Sequence, residues 1–280
     1  MKVFYTDLML AHSGSFSPSA SKPRDVVASW RALGIPLTIA LPTPATVADF
    51  CRAHEPDFVR EVLAGRALNG FGNRSLAIAA SLPWTSGAML SAARWVVANG
   101  GVAVAPCSGF HHAHYGKPEG YCTFNGLMVT ALALAATGTE KVGILDFDEH
   151  YGNGTDDIRK HLRTDWVLHT TAGSVCRTAA DASRFLASIE GWVDEMKECD
   201  VILYQAGADP HIDDPLGGFL TTEQLRERDR LVFRAARERD IPIVWNLAGG
   251  YQTPLRKVLD IHDNTARECV AAYEPERSPR

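Results

Sequence analysis

Residues 143–157 read GILDFDEHYGNGTDD, and this stretch decides the kind of sheet the chain builds. The segment leading to Asp146 is apolar without alternation, the pattern of a strand buried on both faces of a parallel sheet. It runs out into Asp146, Asp148 and His150. With a period of two, those side chains share one face while the chain stays extended. Gly152, Asn153 and Gly154 then turn the chain, and Thr155 is the expected N-cap of the next helix. Carboxylates and an imidazole at the end of an apolar strand are costly to bury unpaired, and metal coordination offsets that cost. An acidic helix-capping turn with a surface histidine is the alternative.

Working outward, similar apolar runs occur at 2–7, 102–106, 141–148, 165–170, 201–207 and 241–249. Helical patterns fall between them, near 23–33, 56–64, 82–99, 123–137, 155–162, 181–198, 221–239 and 253–272. The alternation predicts an α/β fold with a central, mostly parallel sheet flanked by helices on both faces. Residues 1–280 read as a single domain, with 274–280 a flexible tail. Ligands of such sheets bind outside the carboxyl ends of the strands.

Further polar segments follow strands in the same way. LYQAGADPHIDDPLGG (203–218) carries Asp209 just beyond a strand, with Asp213 and Asp214 read as capping and turning the loop. Asp148, His150 and Asp209 would form an Asp₂His set with an open fourth position, as in catalytic rather than thiolate-rich structural zinc sites. NLAGGYQTP (246–254) turns at Gly249 and Gly250 and then presents Tyr251, either into a site or against the last helix. GFHHAHYGKPEGYCTFN (109–125) follows the strand ending near 106. His111, His112 and His114 are open there to a metal site, a proton-transfer pair or a surface cluster.

The bulk properties narrow the function classes. A formal net charge of -5 argues against a nucleic-acid surface. The arginine-rich LRERDRLVFRAARERD (225–240) interleaves acids with bases and reads as a solvated helix face. No apolar stretch is read as approaching the roughly 20 residues of a membrane span. The N-terminus is a poor signal peptide, and none of the six cysteines sits in a C-x-x-C pair. The expectation is a cytoplasmic protein without disulfides.

The four blocks GFHHAHYGKPEGYCTFN, DFDEHYGNGT, QAGADPHIDDPLGG and LAGGYQ, in this order, resemble the histone deacetylase superfamily, the zinc-dependent deacylases of the arginase–deacetylase fold. The resemblance runs from about residue 20 to 260. Asn153 makes the second block similar to the class II and class IV branches. The resemblance implies that Asp148, His150 and Asp209 hold Zn²⁺ and that His111 and His112 are tandem active-site histidines. It implies that Asp146 partners the first of them and Asn153 the second. Tyr251 would contact the substrate carbonyl, Asp146 would contribute to a structural K⁺ site, and Gly120 and Tyr121 would wall a narrow acyl-lysine channel. His112 would be the general base and His111 an electrostatic support. Cys122, beside the channel, reads as a small buried filler, and His114 has no assigned role.

Two departures from that pattern stand out. TTAGSVCRTAADAS (170–183) lacks the aromatic of the opposite channel wall, and NGFGNRSLAI (69–78) lacks the rim aspartate that often grips a substrate backbone. The implied reaction is hydrolysis of an N-acyl amide, with an acyl-lysine protein or peptide, or a small acylated amine, as substrate. An acetylpolyamine amidohydrolase is the alternative within that chemistry, with Glu119 the one acid identified near the channel mouth. A manganese ureohydrolase of the same fold and a non-catalytic acyl-lysine-binding protein are the further alternatives.

Overall fold

The computed structural model describes residues 1–176 and 178–274. Its strands are β1 (Lys2–Phe4), β2 (Thr38–Ala40), β3 (Val102–Ser108), β4 (Val142–Asp146), β5 (Val167–Thr171), β6 (Val201–Gly207) and β7 (Ile243–Ala248). They form one seven-stranded sheet in the order β2-β1-β3-β7-β6-β4-β5. Every neighbouring pair is parallel, as the unbroken apolar runs require.

The helices are α1 (Lys22–Ala32), α2 (Val47–Ala53), α3 (Pro56–Leu63), α4 (Leu76–Asn99), α5 (Gly126–Ala135), α6 (Asn153–Leu162), α7 (Ala182–Glu195), α8 (Thr222–Glu238) and α9 (Arg256–Tyr273). Alternation along the strands sorts them into two layers. Ile202, Tyr204 and Ala206 of β6 pack into a core with α1, α7, α8 and α9. Val201 and Leu203 pack into the other, with α2 to α6. The chain inserts β7, its last strand, between β3 and β6. The four strands preceding the polar blocks, β3, β7, β6 and β4, are therefore consecutive in the sheet.

Several boundaries differ from the sequence expectations. Strand β2 lies between Pro36 and Pro42 at a sheet edge, where prolines are tolerated. Helix α2 was also unexpected, although Thr46 and Asp49 form a reciprocal capping box at its start. Helix α4 starts at Leu76, six positions before the expected 82, with Ser75 as N-cap and Pro83 inside. It is thus long and apolar enough to cross a bilayer by length and composition, which corrects the statement that no stretch approaches that length. In the fold Ala88, Met89, Ala92, Ala93 and Val96 of α4 belong to the core. Glu274, assigned to the tail, accepts a hydrogen bond from the Met1 amino group; 275–280 lie outside the described residues.

The solvated reading of 225–240 holds for one face of α8 only. Arg230 pairs with Glu227 and Arg234 with Glu238 at the surface. Arg228 and Asp229, however, are fully buried, in the inward stripe with Leu225, Val232 and Phe233. Arg228 donates to Phe147 O (3.1 Å) and Gly207 O (2.6 Å), and its Nε donates to Asp229 (2.9 Å). A buried guanidinium thereby ties together the ends of β4 and β6, where the polar blocks begin.

His54, just after α2, is fully buried against Phe58 and Phe124. Its Nδ1 donates to His114 O (2.9 Å) and its Nε2 accepts from Asn125 N (2.9 Å), so one ring clamps both ends of the segment 114–125. Burial lowers its pKa from 6.5 to about 4, and a second ring proton would break the bond from Asn125. Above pH 6.5 neither the folded nor the unfolded form protonates this group. Between 6.5 and 4 only the unfolded chain takes the proton, so folding stability falls as pH falls. At about 1.4 kcal/mol per unit, the expected loss is a few kcal/mol. Denaturant titrations between pH 7 and 4 should show that loss in the native chain and a shallower one in His54→Asn; equal slopes would refute the assignment.

Candidate functional site

All four polar blocks open at the carboxyl end of the sheet. After β4, Asp148 N donates to Asp146 Oδ1 (3.3 Å) and His150 N donates to Asp148 Oδ1 (3.0 Å), so the chain leaves the strand in a tight bend. Glu149 N donates to Asp209 Oδ1 (3.3 Å), which binds this bend to the loop after β6. Asp148, His150 and Asp209 each offer one ligand atom, and these atoms lie within 4.8 Å of one another. His150 Nδ1 is 3.2 Å from both Asp148 Oδ1 and Asp209 Oδ2.

The donor chemistry fits a divalent cation. Asp148 and Asp209 are buried carboxylates that converge on one imidazole nitrogen. Burial, reinforced by the charge of Asp148, raises the pKa of Asp209 to about 7. The hydrogen bonds to Asp148 and Asp209 raise that of His150 to about 11. Both shifts report a site with more negative charge than its own protein groups neutralise, and a metal ion would relieve it. Gly249 has φ +47, and a Cβ there would sit 2.1 Å from Asp209 Cγ, so the β7 loop can press against this ligand only as glycine.

The tandem histidines follow β3. Pro106 interrupts the pairing with β7, whose register shifts between Ala105 and Ser108, and Gly109 turns with φ +59. His111 is buried, and its Nδ1 donates to Asp146 Oδ2 (2.7 Å). Asp146 is held in turn by Gln205 Nε2 at its other oxygen (2.8 Å). His112 Nδ1 donates to Asn153 Oδ1 (2.6 Å). The two rings are 4.0 Å apart between centroids but have opposite proton affinities. Burial works against protonating His111, but Asp146 and then Asp148 outweigh it and raise its pKa to about 9. Burial and then the charge on His111 push His112 down to about 4.

Helix α6 carries Asn153 as its first residue, with Gly152 at the N-cap. That corrects the assignment of Thr155, which is inside the helix and buried. Thr155 instead donates its N–H to His111 O (3.0 Å) and accepts from Asn125 Nδ2 at its hydroxyl (3.0 Å). Gly154 permits the approach, since a Cβ would lie 2.4 Å from Ala113 O.

Gly120 and Tyr121 are the central residues of a two-residue turn between Glu119 and Cys122, with φ +54 and +63. Positive φ at a tyrosine is uncommon and mildly strained. Here it sets the ring between Phe71 and Tyr251, with centroids 6.0 and 5.9 Å away. Tyr251 N donates to Asp214 Oδ2 (2.8 Å), so Asp214 holds this residue as well as turning its own loop through Leu216 N (3.0 Å). Burial and the nearby Asp209 carboxylate raise the phenol's pKa well above its usual value, keeping it a donor. A cavity of about 160 Å³ joins His111, His112, Tyr121, Asp148, His150 and Tyr251. Ser19 and Leu216 line it too, whereas none of the described residues of the aromatic-free 170–183 stretch does. Cys122 is buried at its wall, as expected for a filler.

Sequence reasoning missed three groups around this site. Lys22 is fully buried at the start of α1, and its Nζ donates to Gly249 O. Burial lowers its pKa to about 8 against the pull of Asp209 and Asp148. The one local signal was a lysine in a helix's first turn, where the macrodipole disfavours it. His169 of β5 donates from Nδ1 to Asp156 Oδ1 (2.9 Å), with Nε2 3.8 Å from Asp146 Oδ2. Phe16, from the Ser/Pro-rich loop, stacks on Tyr251 at 6.0 Å.

The family model of the histone deacetylase domain matches residues 25–170 and 169–264. The chain belongs to the histone deacetylase domain family. Histone deacetylase 2 of Arabidopsis thaliana is 26% identical over 198 residues, covering 63% of this chain and 51% of that protein. The chain thus spans about half the length of this curated relative. Acetylpolyamine amidohydrolase 2 of Pseudomonas aeruginosa is 48% identical over 48 residues, 17% of this chain and 14% of that one. The crystal structure of the HDA15 HD domain superposes with a TM-score of 0.78 at 20% identity, covering 99% of this chain and 91% of that one, and so shares the fold. Asp148, His150 and Asp209 form a candidate metal site typical of the zinc site of this histone deacetylase family.

Gly249→Ala is expected to displace Asp209 and lower divalent-metal affinity by about 10- to 100-fold, as disturbing a ligand's support typically does. Calorimetric Zn²⁺ titration of a variant with native circular dichroism measures this; unchanged affinity would contradict the close contact.

Proposed function

We propose that this chain is a zinc-dependent deacylase that hydrolyses an N-acyl amine. The observation that carries the reading is the meeting of the Asp148–His150 pair with His111, His112 and Tyr251 in one cavity, with Asp209 beside them. Zinc held by Asp148, His150 and Asp209 would supply Lewis acidity toward the acyl oxygen and a water molecule. His112, neutral at physiological pH, accepts the proton of the attacking water and later returns it to the leaving amine. His111 stays cationic against Asp146 and stabilises negative charge as it develops. The protonated Tyr251 hydroxyl donates to the acyl oxygen, a contact that strengthens toward the transition state. Gly120 and Tyr121 form the wall that grips an alkyl chain. The structural potassium ion expected near Asp146 takes part in no step.

One metal set favours this chemistry over a binuclear ureohydrolase. Among the described residues, the single cluster with convergent ligand atoms is Asp148, His150 and Asp209. Asp146 is committed to His111, and the intact proton-transfer pair argues against a purely binding module. For the substrate, an acyl-lysine peptide and a small acylated amine both suit a narrow cavity. The short but close match to an acetylpolyamine amidohydrolase favours testing the second class alongside the first. The acid-free segment 69–78 packs Phe71 against Tyr121, which favours recognition of the acyl chain over recognition of a peptide backbone.

Release of amine from acetyl-lysine peptides, longer-acyl-lysine peptides and acetylpolyamines tests the proposal. His112→Ala should lower kcat by about 10²–10⁴, and Tyr251→Phe by about 10²–10³. Asp209→Ala should abolish both zinc retention and turnover. Chelation should silence the native chain and Zn²⁺ restore it. Full activity in His112→Ala, or turnover that survives complete metal removal, would overturn the assignment.

A further inference from the structure

The Asn153 side chain faces His112 at its oxygen and Glu119 at its nitrogen, and that nitrogen also lies 3.3 Å from His114 Nε2. Its Oδ1 accepts from His112 Nδ1 (2.6 Å), and its Nδ2 donates to Glu119 Oε1 (2.9 Å). A primary amide rotated by half a turn keeps almost the same shape but swaps donor for acceptor. With oxygen toward His112, Nδ1 must carry the ring proton and Nε2 keeps its lone pair. With the amide reversed, Nδ1 becomes the acceptor and the proton moves to Nε2. A histidine in the second tautomer cannot take a proton at Nε2. The His112–Asn153 pair accommodates either arrangement, so the choice must be made outside it.

Glu119 is placed to make that choice. An ionised carboxylate only accepts hydrogen bonds, so it admits only the amide nitrogen of Asn153. Its position is fixed by the tight turn at Gly120 and Tyr121, where Glu119 N donates to Cys122 O (3.1 Å) and Cys122 N to Glu119 O (2.8 Å). Its second oxygen accepts from Lys117 Nζ (2.8 Å) and lies 3.2 Å from His114 Nε2. His114 Nδ1 in turn reaches Asp157 Oδ2 of α6 (3.4 Å). The hydrogen bonds from Lys117 and Asn153 hold the Glu119 pKa down to about 2, so it remains an acceptor across the working range.

We propose that Glu119 is a positioning residue that locks the Asn153 amide and so sets the proton of His112 on Nδ1. The consequence for catalysis rests on the deacylase reading; the tautomer itself does not. This role gives Glu119 work other than meeting a substrate ammonium, with one oxygen on Asn153 and the other on Lys117.

Nitrogen-15 NMR of histidine-labelled protein, metal-free and zinc-loaded, reads the tautomer directly through the ring's long-range proton couplings. The native chain should show His112 protonated on Nδ1. In Glu119→Leu this signature should weaken or shift toward Nε2, with kcat down about tenfold, the bias one charge-assisted hydrogen bond exerts, and KM unchanged for every substrate. Glu119→Gln keeps the shape but can offer Asn153 either a donor or an acceptor, so it should fall between the native chain and Glu119→Leu in both tautomer and kcat. As a second test, Asn153→Asp only accepts hydrogen bonds and should hold the His112 proton on Nδ1 by itself, so adding Glu119→Leu to it should leave the tautomer unchanged. A native Nδ1 tautomer in Glu119→Leu overturns the proposal. So does an increase in KM confined to acetylpolyamine substrates, which would make Glu119 a substrate-binding acid. If no acyl amide is turned over but the tautomer still follows Glu119, the deacylase reading fails and this one stands.

Discussion

Three carboxylates, Asp146, Asp148 and Asp209, are buried at the ends of strands whose other side chains are almost entirely apolar. An unpaired buried charge is far more costly than any single packing contact in the fold. Much of the surrounding structure is therefore an arrangement for supplying positive charge or hydrogen-bond donors to those three groups. Asp146 receives His111 and the Gln205 amide. Asp148 and Asp209 receive His150 and, together, the donor geometry of a metal site. Lys22 arrives from the opposite end of the sequence to hold the Gly249 carbonyl beside Asp209. Arg228 holds the carbonyls at Phe147 and Gly207, fixing the loops on which two of the carboxylates ride.

The sheet order makes this concentration of charge possible. The strand inserted last, β7, separates β3 from β6 and brings its glycine turn between the histidine loop and the Asp209 loop. Segments near residues 111, 148, 209 and 251 thus end on neighbouring strands, all pointing the same way because the sheet is parallel. An antiparallel neighbour would have carried its block to the far end of the sheet.

This also explains what could be read from the sequence. An apolar run that stops at a charged or glycine-rich block is a local pattern, so β3, β4, β6 and β7 and their polar blocks were visible without coordinates. Edge strand β2 was not, because it has little apolar surface to bury and prolines on both sides. Lys22 was not, because its partner lies 227 positions away and its one local mark, a lysine in a helix's first turn, names no partner. Arg228 and Asp229 were hidden by composition: in a helix rich in exposed ion pairs, only their place in the buried stripe sets them apart. Glu119 was visible as an acid near the mouth, but its partner Asn153 is joined to it only by the fold.

The two adjacent histidines show how little local sequence decides about chemistry. They share a loop, and their rings touch, yet His111 holds its proton and His112 resists one. The difference lies behind each ring. His111 is backed by a carboxylate, which stabilises the cation; His112 is backed by a neutral amide, which orients the ring without attracting a second proton. Once His111 is charged, its field further opposes protonation of its neighbour, so each partner's choice reinforces the other. A pair identical in sequence is thereby divided into a fixed charge and a vacant base by the carboxylate or amide behind each ring, together with the Asp148 charge on His111 and the burial of His112.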